Sequence, residues 1–236
     1  MKVLGIDPAP SKKSVVFDGE KFKEYNAFEL KELLAKTENT LICWDAPLAF
    51  DANTNDFYYR PIELFFKANN KKVNEYQIVN QLPKGISILP IAGCPHWLIS
   101  QYVVGYPAIN SNNSKIPLII KKEDLTLNKT QIVEVHPALA IWIKLKNKIN
   151  SFLYKKNKTD LNNIVNQLNI PKHIKIKNDD YLDAYIAWEL GTLFINSPHE
   201  VMLLGNKNGS ILLPYDEELK NRFKKFILKV ENDYQK

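Results

Sequence analysis

The chain is poor in cysteine, glycine and long hydrophobic runs, and each shortage excludes a class of protein. Its 236 residues include two cysteines, Cys43 and Cys94, which are too few for a disulfide framework. The eight glycines form neither a Walker loop nor a GxGxxG fingerprint, so these phosphate-cradling motifs are absent. No hydrophobic run approaches the ~18 residues of a membrane span, and Asp7 comes too early for a signal peptide. We therefore expect a cytoplasmic protein that contacts no membrane.

The composition that remains is typical of one globular domain. Hydrophobic residues make up 45% of the chain and charged residues 25%, which argues against disorder, collagen and coiled coil. No linker or internal repeat interrupts the sequence, so residues 1–236 are predicted to form a single domain. The oligomeric state, monomer or homodimer, stays open.

The net charge of +6 is concentrated in one segment. Residues 144–177 hold nine lysines and one acid, Asp160, so the segment's charge of +8 exceeds that of the whole chain. Two interpretations stay open: a solvated lysine-rich helical face, or a surface for nucleic acid, which gains from counterion release. The chain has only two arginines, so we expect few bidentate contacts to phosphates or bases.

Hydrophobic patterns predict an α/β fold with one long interruption. The five strands of the sheet are predicted at 2–7, 13–18, 21–25, 40–45 and 130–136, and the helices that matter for the site at 28–36 and 179–196. Two further strands at 200–204 and 210–213 and a terminal helix from about 216 complete the prediction. Residues 50–129 are too many for an ordinary connection, so they are predicted to be an insertion between the fourth and fifth strands.

Three acids stand at the ends of predicted strands. Asp7, Asp45 and Glu134 each interrupt or follow an apolar run. Side chains at the carboxyl ends of adjacent parallel strands meet at one edge of a sheet, where ligands usually bind. Each acid alone has another interpretation: Asp7 and Asp45 as turn residues, and Glu134 as an edge-strand acid with its own hydrogen bonds.

Two further acids lie on the helix predicted at 179–196. At about 100° per residue, Asp180 and Asp183 share a narrow face with Ala184, Ala187 and Gly191. Small residues let a helix lie close against a sheet, which would bring both acids to the edge where the strands end. The alternative is that acids in a first helical turn only complement the helix dipole.

Gathered carboxylates require cations, and oxygen ligands favour Mg²⁺ or Mn²⁺. Two such ions ~3.5–4 Å apart support phosphodiester cleavage. We therefore predict a two-metal site in which the same five residues are ligands and catalytic groups: Asp7, Asp45, Glu134, Asp180 and Asp183. A zinc site at Cys94 and His96 is not predicted, because no second ligand pair matches it. His136 is predicted to make a structural hydrogen bond, with proton transfer as the alternative.

Several short motifs resemble known nuclease families. GIDPAP at 5–10 and DDYLDAYIAWELG at 179–191 resemble motifs of the Holliday-junction resolvase branch of the ribonuclease H-like fold. The domain-of-unknown-function 429 family, described as predicted nucleases of this fold, is similar at five places: GID at 5–7, WDAPL at 44–48, VEVHPALA at 133–140, DDYLDAYIA at 179–187 and GSILLP at 209–214. The chain departs from the pattern at Pro8, where a small residue or glycine is usual. It also departs in its basic surface, which consists almost exclusively of lysine.

The resemblance implies a ribonuclease H-like mixed five-stranded sheet flanked by helices, and a metal-dependent nuclease that acts on nucleic acid. Whether the substrate is DNA or RNA stays open. In the insertion, Phe57, Tyr58 and Tyr59 are candidates for base stacking, with core packing as the alternative. A rival interpretation is a non-catalytic nucleic-acid- or protein-binding module of the same fold. A sugar-kinase-like function is disfavoured because the chain has so little glycine.

Overall fold

A computed structural model describes residues 1–49, 60–66, 82–88, 94–105, 116–207 and 209–233. Its centre is a mixed six-stranded sheet of order β3-β2-β1-β4-β6-β5. The strands are β1 (Lys2–Asp7), β2 (Ser14–Phe17), β3 (Phe22–Tyr25), β4 (Thr40–Trp44), β5 (Leu118–Ile119) and β6 (Gln131–Glu134). Strands β1, β4, β6 and β5 are parallel, whereas β2 and β3 form an antiparallel hairpin on β1. This arrangement is consistent with the ribonuclease H-like topology.

Helices cover both faces of the sheet, and a second hairpin follows the longest of them. The helices are α1 (Ala27–Ala35), α2 (Pro61–Phe66), α3 (His96–Val104), α4 (Pro137–Leu145), α5 (Lys158–Gln167), α6 (Asp179–Asn196) and α7 (Glu217–Asp233). Helices α1 and α3 pack together on one face, and α4 and α6 lie on the other. The hairpin consists of β7 (Val201–Asn206) and β8 (Gly209–Pro214), and Leu212 of β8 bridges to Val135 beside the main sheet.

The sheet has six strands, and the prediction of five was therefore incomplete. The additional strand, β5, contains two residues and pairs with β6 at the edge of the sheet. It belongs to the region 50–129, so part of the predicted insertion extends the sheet. A two-residue strand carries no alternating hydrophobic pattern from which it can be predicted.

Local signals in the sequence account for the turns and helix starts that position the site. The β2–β3 turn has Gly19 at a φ of 98°, and the Asp18 side chain accepts hydrogen bonds from the backbone N–H groups of Glu20 and Lys21. Helix α6 begins after Asn178, whose side chain accepts a hydrogen bond from the Tyr181 N–H, as an N-cap does. None of the described helices is both long and apolar enough to cross a lipid bilayer.

Helix α6 lies directly on β1 and β4, as its stripe of small residues predicts. A Cβ atom on Gly5 would lie 2.1 Å from the Ala184 carbonyl oxygen and 2.3 Å from the Trp188 nitrogen. On the helix side, a Cβ on Gly191 would lie 2.3 Å from the Cys43 Sγ. Backbone therefore meets backbone at Gly5, and this contact fixes the height of the helix above the sheet.

We expect Gly5→Ala to destabilise the fold by about 3 kcal/mol or more, because the clash involves backbone atoms that cannot rotate away. Gly105→Ala is the comparison: an added Cβ there has nothing within 4 Å, and only its φ of 81° opposes the change, at about 1 kcal/mol. Urea unfolding followed by circular dichroism measures both. Equal losses would contradict a tight contact at Gly5.

Candidate metal centre

Three aspartates converge where β1 and β4 end. Asp7 is the last residue of β1, Asp45 follows β4 directly, and Asp183 lies in the second turn of α6. Each offers one carboxylate oxygen within 4.8 Å of the other two. Among the described residues, this is the one group of three or more acids, histidines or cysteines close enough to share a metal ion. We call these three residues the aspartate triad.

The register of the sheet brings two members of the triad together. Gly5 pairs with Cys43 and Ile6 with Trp44, and the Asp45 N–H continues the ladder by donating to the Ile6 carbonyl at 3.0 Å. Paired residues of parallel strands face the same side, so Asp7 and Asp45 both face α6. Because α6 lies so close to β1, the carboxylate of Asp183 on this helix reaches those of Asp7 and Asp45.

Burial and mutual repulsion favour the protonated forms of two of these acids. Burial is the largest cause that raises the pKa of Asp7 well above its usual range, followed by the charges of Asp183 and Asp45. Burial and then Asp183 raise the pKa of Asp45 to about 8. Without a metal ion, Asp45 therefore favours its protonated form at neutral pH, whereas a bound metal ion would favour its ionised form.

Asp183 has two polar partners from the lysine-rich segment 144–177. The Tyr154 hydroxyl donates to its Oδ1 at 2.7 Å, and the Lys155 Nζ lies 2.7 Å from its Oδ2. Burial opposes the charged form of Lys155, but Asp183 and Asp45 together raise the pKa of this lysine. The charge of 144–177 indicates a basic segment but singles out neither Tyr154 nor Lys155, because no local pattern connects 154–155 with α6.

Glu134 does not join the triad. It pairs with Trp44 in the ladder, so its side chain leaves β6 on the opposite face of the sheet from Asp7 and Asp45, although it lines the same cleft at the end of the strands. Its carboxylate accepts hydrogen bonds from the Leu48 N–H at 2.9 Å and from the Arg60 Nη1 at 2.8 Å and Nη2 at 2.5 Å. Arg60 also binds Glu63, and all three charged side chains are at most 4% exposed. We call them the Arg60 cluster.

Asp180 lies at the margin of the site with a cation of its own. The Lys12 Nζ donates to both Asp180 carboxylate oxygens at 2.6 Å. Asp180 occupies the first turn of α6, one turn before Asp183, and it is close enough to contribute to the raised pKa of Asp7. Of the five acids predicted as ligands, the structure brings three together and provides the other two with cationic partners.

Asp7 and Asp45 of the triad line a cleft of about 170 Å³, and Glu134 lines it with them. Its lining includes residues that the sequence analysis did not connect with the acids, namely Arg60, Glu63, Ser87, His96 and Lys155. Pockets for drug-sized ligands begin at about 300 Å³, so this cleft suits a hydrated ion and a phosphate group better than a nucleobase. The predicted stacking residues Phe57, Tyr58 and Tyr59 lie outside the described residues.

Two histidines border the cleft, and both are held neutral. Burial lowers the pKa of His136 to about 4, and its Nδ1 accepts a hydrogen bond from the Leu139 N–H at the start of α4. The predicted structural hydrogen bond of His136 is thereby confirmed. Burial, followed by the charges of Lys155 and Lys12, lowers the pKa of His96.

The donor set of the triad fits a magnesium or manganese ion. It consists of carboxylate oxygens alone, which these hard cations prefer, and it contains neither a thiolate nor an imidazole to favour zinc. Asp7 and Asp183 are at most 8% exposed, so their charges are costly without a counter-cation.

Comparisons of the chain with protein-family models, curated proteins and solved structures find no match. The resemblance to the nuclease families therefore stays a prediction from the motifs.

We expect the metal-free protein to lose stability as the pH rises from about 4 to about 8. Asp45 has a folded-state pKa of about 8, against an unfolded value near ~3.9, so the folded state binds the extra proton in this range. Asp45→Asn mimics the protonated acid and should flatten the loss and raise stability at pH 9. Urea unfolding with a chelator present measures both proteins.

Asp18→Asn is the matched control for this pH series. Asp18 is exposed, and an asparagine oxygen can accept the same two turn hydrogen bonds. Its stability profile should follow that of the unmodified protein. An unchanged slope in Asp45→Asn would contradict the raised pKa.

We expect Arg60→Met to cost about 3–5 kcal/mol of stability, because it leaves the carboxylates of Glu63 and Glu134 buried without a cation. Adding Glu63→Gln and Glu134→Gln to this variant should recover part of the loss. Lys36→Met is the control, since Lys36 is 78% exposed and lies 4.0 Å from Glu32 in a surface pair, so its loss should cost about 0.5 kcal/mol or less. Thermal and urea unfolding provide the comparison, and equal losses at Arg60 and Lys36 would contradict a compensating role for Arg60.

Proposed function

We propose that the protein is a metal-dependent nuclease that hydrolyses phosphodiester bonds at the aspartate triad. The observation that carries the proposal is the convergence of Asp7, Asp45 and Asp183, of which Asp7 and Asp45 line a small cleft. Carboxylates on two adjacent parallel strands and a crossing helix form a compact oxygen site on a rigid scaffold. The sheet order, consistent with a ribonuclease H-like topology, adds support at the level of fold alone.

A bound Mg²⁺ or Mn²⁺ would act as a Lewis acid on a phosphate oxygen and lower the pKa of a bound water. The three aspartates would hold the ion. Tyr154 orients Asp183 through its 2.7 Å hydrogen bond, and Lys155 adds a positive charge at the same carboxylate. During hydrolysis a water oxygen bonds to phosphorus, the bond from phosphorus to the leaving oxygen breaks, and a water proton ends on that oxygen.

The lysine-rich segment supplies cations for a nucleic-acid backbone. Three of its nine lysines form ion pairs within the fold, with Glu189, Asp216 and Asp183. Five others are exposed, and no described acid pairs with them: Lys148, Lys156, Lys158, Lys172 and Lys175. Lys155 of this segment contacts the triad, and the segment ends at Lys177, shortly before α6, which carries Asp183. The segment therefore lies beside the site at both of these points. Phosphates bound along it would lie near the cleft.

The test is cleavage of single-stranded, duplex, hybrid and branched nucleic acids with Mg²⁺ or Mn²⁺. We expect Asp7→Asn, Asp45→Asn and Asp183→Asn each to lower cleavage by about a hundredfold or more, and calorimetry to show weakened Mn²⁺ binding.

Asp180→Asn is the matched control, because Asp180 lies on the same helix as Asp183 but pairs with Lys12. It should retain Mn²⁺ binding and most of the cleavage. Cleavage that survives Asp7→Asn would contradict the assignment of the site.

A second candidate function is a binding module that retains the fold and cleaves nothing. The ion pair between Lys155 and Asp183 favours it, because a protein cation already neutralises part of the triad's charge. Nucleic-acid binding without any carboxylate-dependent Mn²⁺ binding would support the module over the nuclease.

A further inference from the structure

We propose that Lys155 takes the place of a second metal ion, so that the site binds one divalent cation and uses the lysine ammonium as its other positive charge. The inference rests on the proposed function and changes the expectation of two ions that the sequence raised. The inference follows from the protein cations that already bind the carboxylates of Asp180, Asp183 and Glu134.

The two acids that a second ion would need are already paired with protein cations. Glu134 lines the cleft, but its carboxylate already accepts hydrogen bonds from both Nη atoms of Arg60. Asp180 has Lys12 bound to both of its carboxylate oxygens. Recruiting Asp180 would take from Lys12 its carboxylate, and recruiting Glu134 would leave the buried Arg60 with Glu63 as its one remaining ion-pair partner among the described residues, which is costly.

The charge of the triad also indicates one metal ion and not two. One divalent cation and one ammonium balance three ionised aspartates, whereas a second divalent cation would leave a net positive charge inside a largely buried site. Placing uncompensated charge in a low-dielectric interior is unfavourable. The structure therefore provides ligands and charge for one ion.

Lys155 has the position that this role requires. Its Nζ lies 2.7 Å from the Asp183 Oδ2, which is the buried end of the site, while 45% of its side chain is exposed. The lysine thus joins a buried carboxylate to a solvent-exposed surface, and it lines the cleft together with Asp7 and Asp45. There the ammonium can stabilise the extra negative charge that develops on a phosphate during attack by water.

The first measurement is the stoichiometry of Mn²⁺ binding to the full chain by calorimetry at pH 8.5. We expect one ion per chain. Two ions per chain would overturn the role of Lys155 and leave the proposed nuclease intact, whereas no binding would overturn the metal centre itself and this inference with it.

The second measurement compares variants of Lys155. Lys155→Met removes a cation that competes for the Asp183 Oδ2, so Mn²⁺ should bind about tenfold tighter while cleavage falls about a hundredfold. Lys155→Arg keeps the charge and should bind Mn²⁺ within about threefold of the unmodified protein and retain part of the cleavage. A merely structural lysine would instead lower Mn²⁺ affinity and cleavage together, and that result would overturn the proposal.

Lys156→Met is the matched control. Lys156 is the exposed neighbour of Lys155, and no described acid pairs with it. It should leave the stoichiometry and affinity for Mn²⁺ unchanged. Equal changes in affinity for Lys156→Met and Lys155→Met would overturn the assignment, because they would reflect net charge alone. If Lys155→Met does not fold, the number of Mn²⁺ ions bound by the unmodified chain still tests whether the site holds one ion or two.

Discussion

The contact between α6 and β1 at Gly5 is the constraint on which the site depends. A helix normally packs on a sheet through its side chains, but here the Ala184 carbonyl approaches the strand so closely that no Cβ fits between them. This height allows the short side chain of Asp183 to reach Asp7 and Asp45. With a larger distance between α6 and the sheet, Asp183 would not reach Asp7 and Asp45. The three acids could then not share a metal ion.

Bringing acids together creates an electrostatic cost that the surrounding residues offset. Lys155 and Tyr154 bind Asp183, Lys12 binds Asp180, and Arg60 binds Glu134. Asp7 and Asp45 have no such cation of their own among the described residues, and burial raises the pKa of both. The divalent cation that we propose would therefore bind beside Asp7 and Asp45, the two acids without an ion pair among the described residues.

How far the site could be predicted is clearest from Asp183 and Glu134. Asp183 was predicted from the helical period of 179–196 and its small residues, because a helix face can be calculated from spacing alone. Glu134 was grouped with the strand acids because it ends an apolar run, but its ladder partner is Trp44, and a shift of one residue reverses the face of a strand. Register depends on the neighbouring strand, which the local sequence of β6 does not contain. Arg60 was missed because its partner Glu134 is distant in sequence.

The sequence by itself determined the α/β class, the hairpin at Asp18-Gly19, the long helix α6 and the acids that carry the candidate chemistry, because these follow from local periodicity and residue type. The tertiary structure alone decided which three acids converge, the two-residue edge strand β5 and the cation that each remaining acid receives. Those features are contacts between distant segments, and their geometry is set by strand register and helix packing. Lys155 illustrates the difference: it is one lysine among nine in its segment, and only the fold places it at the triad.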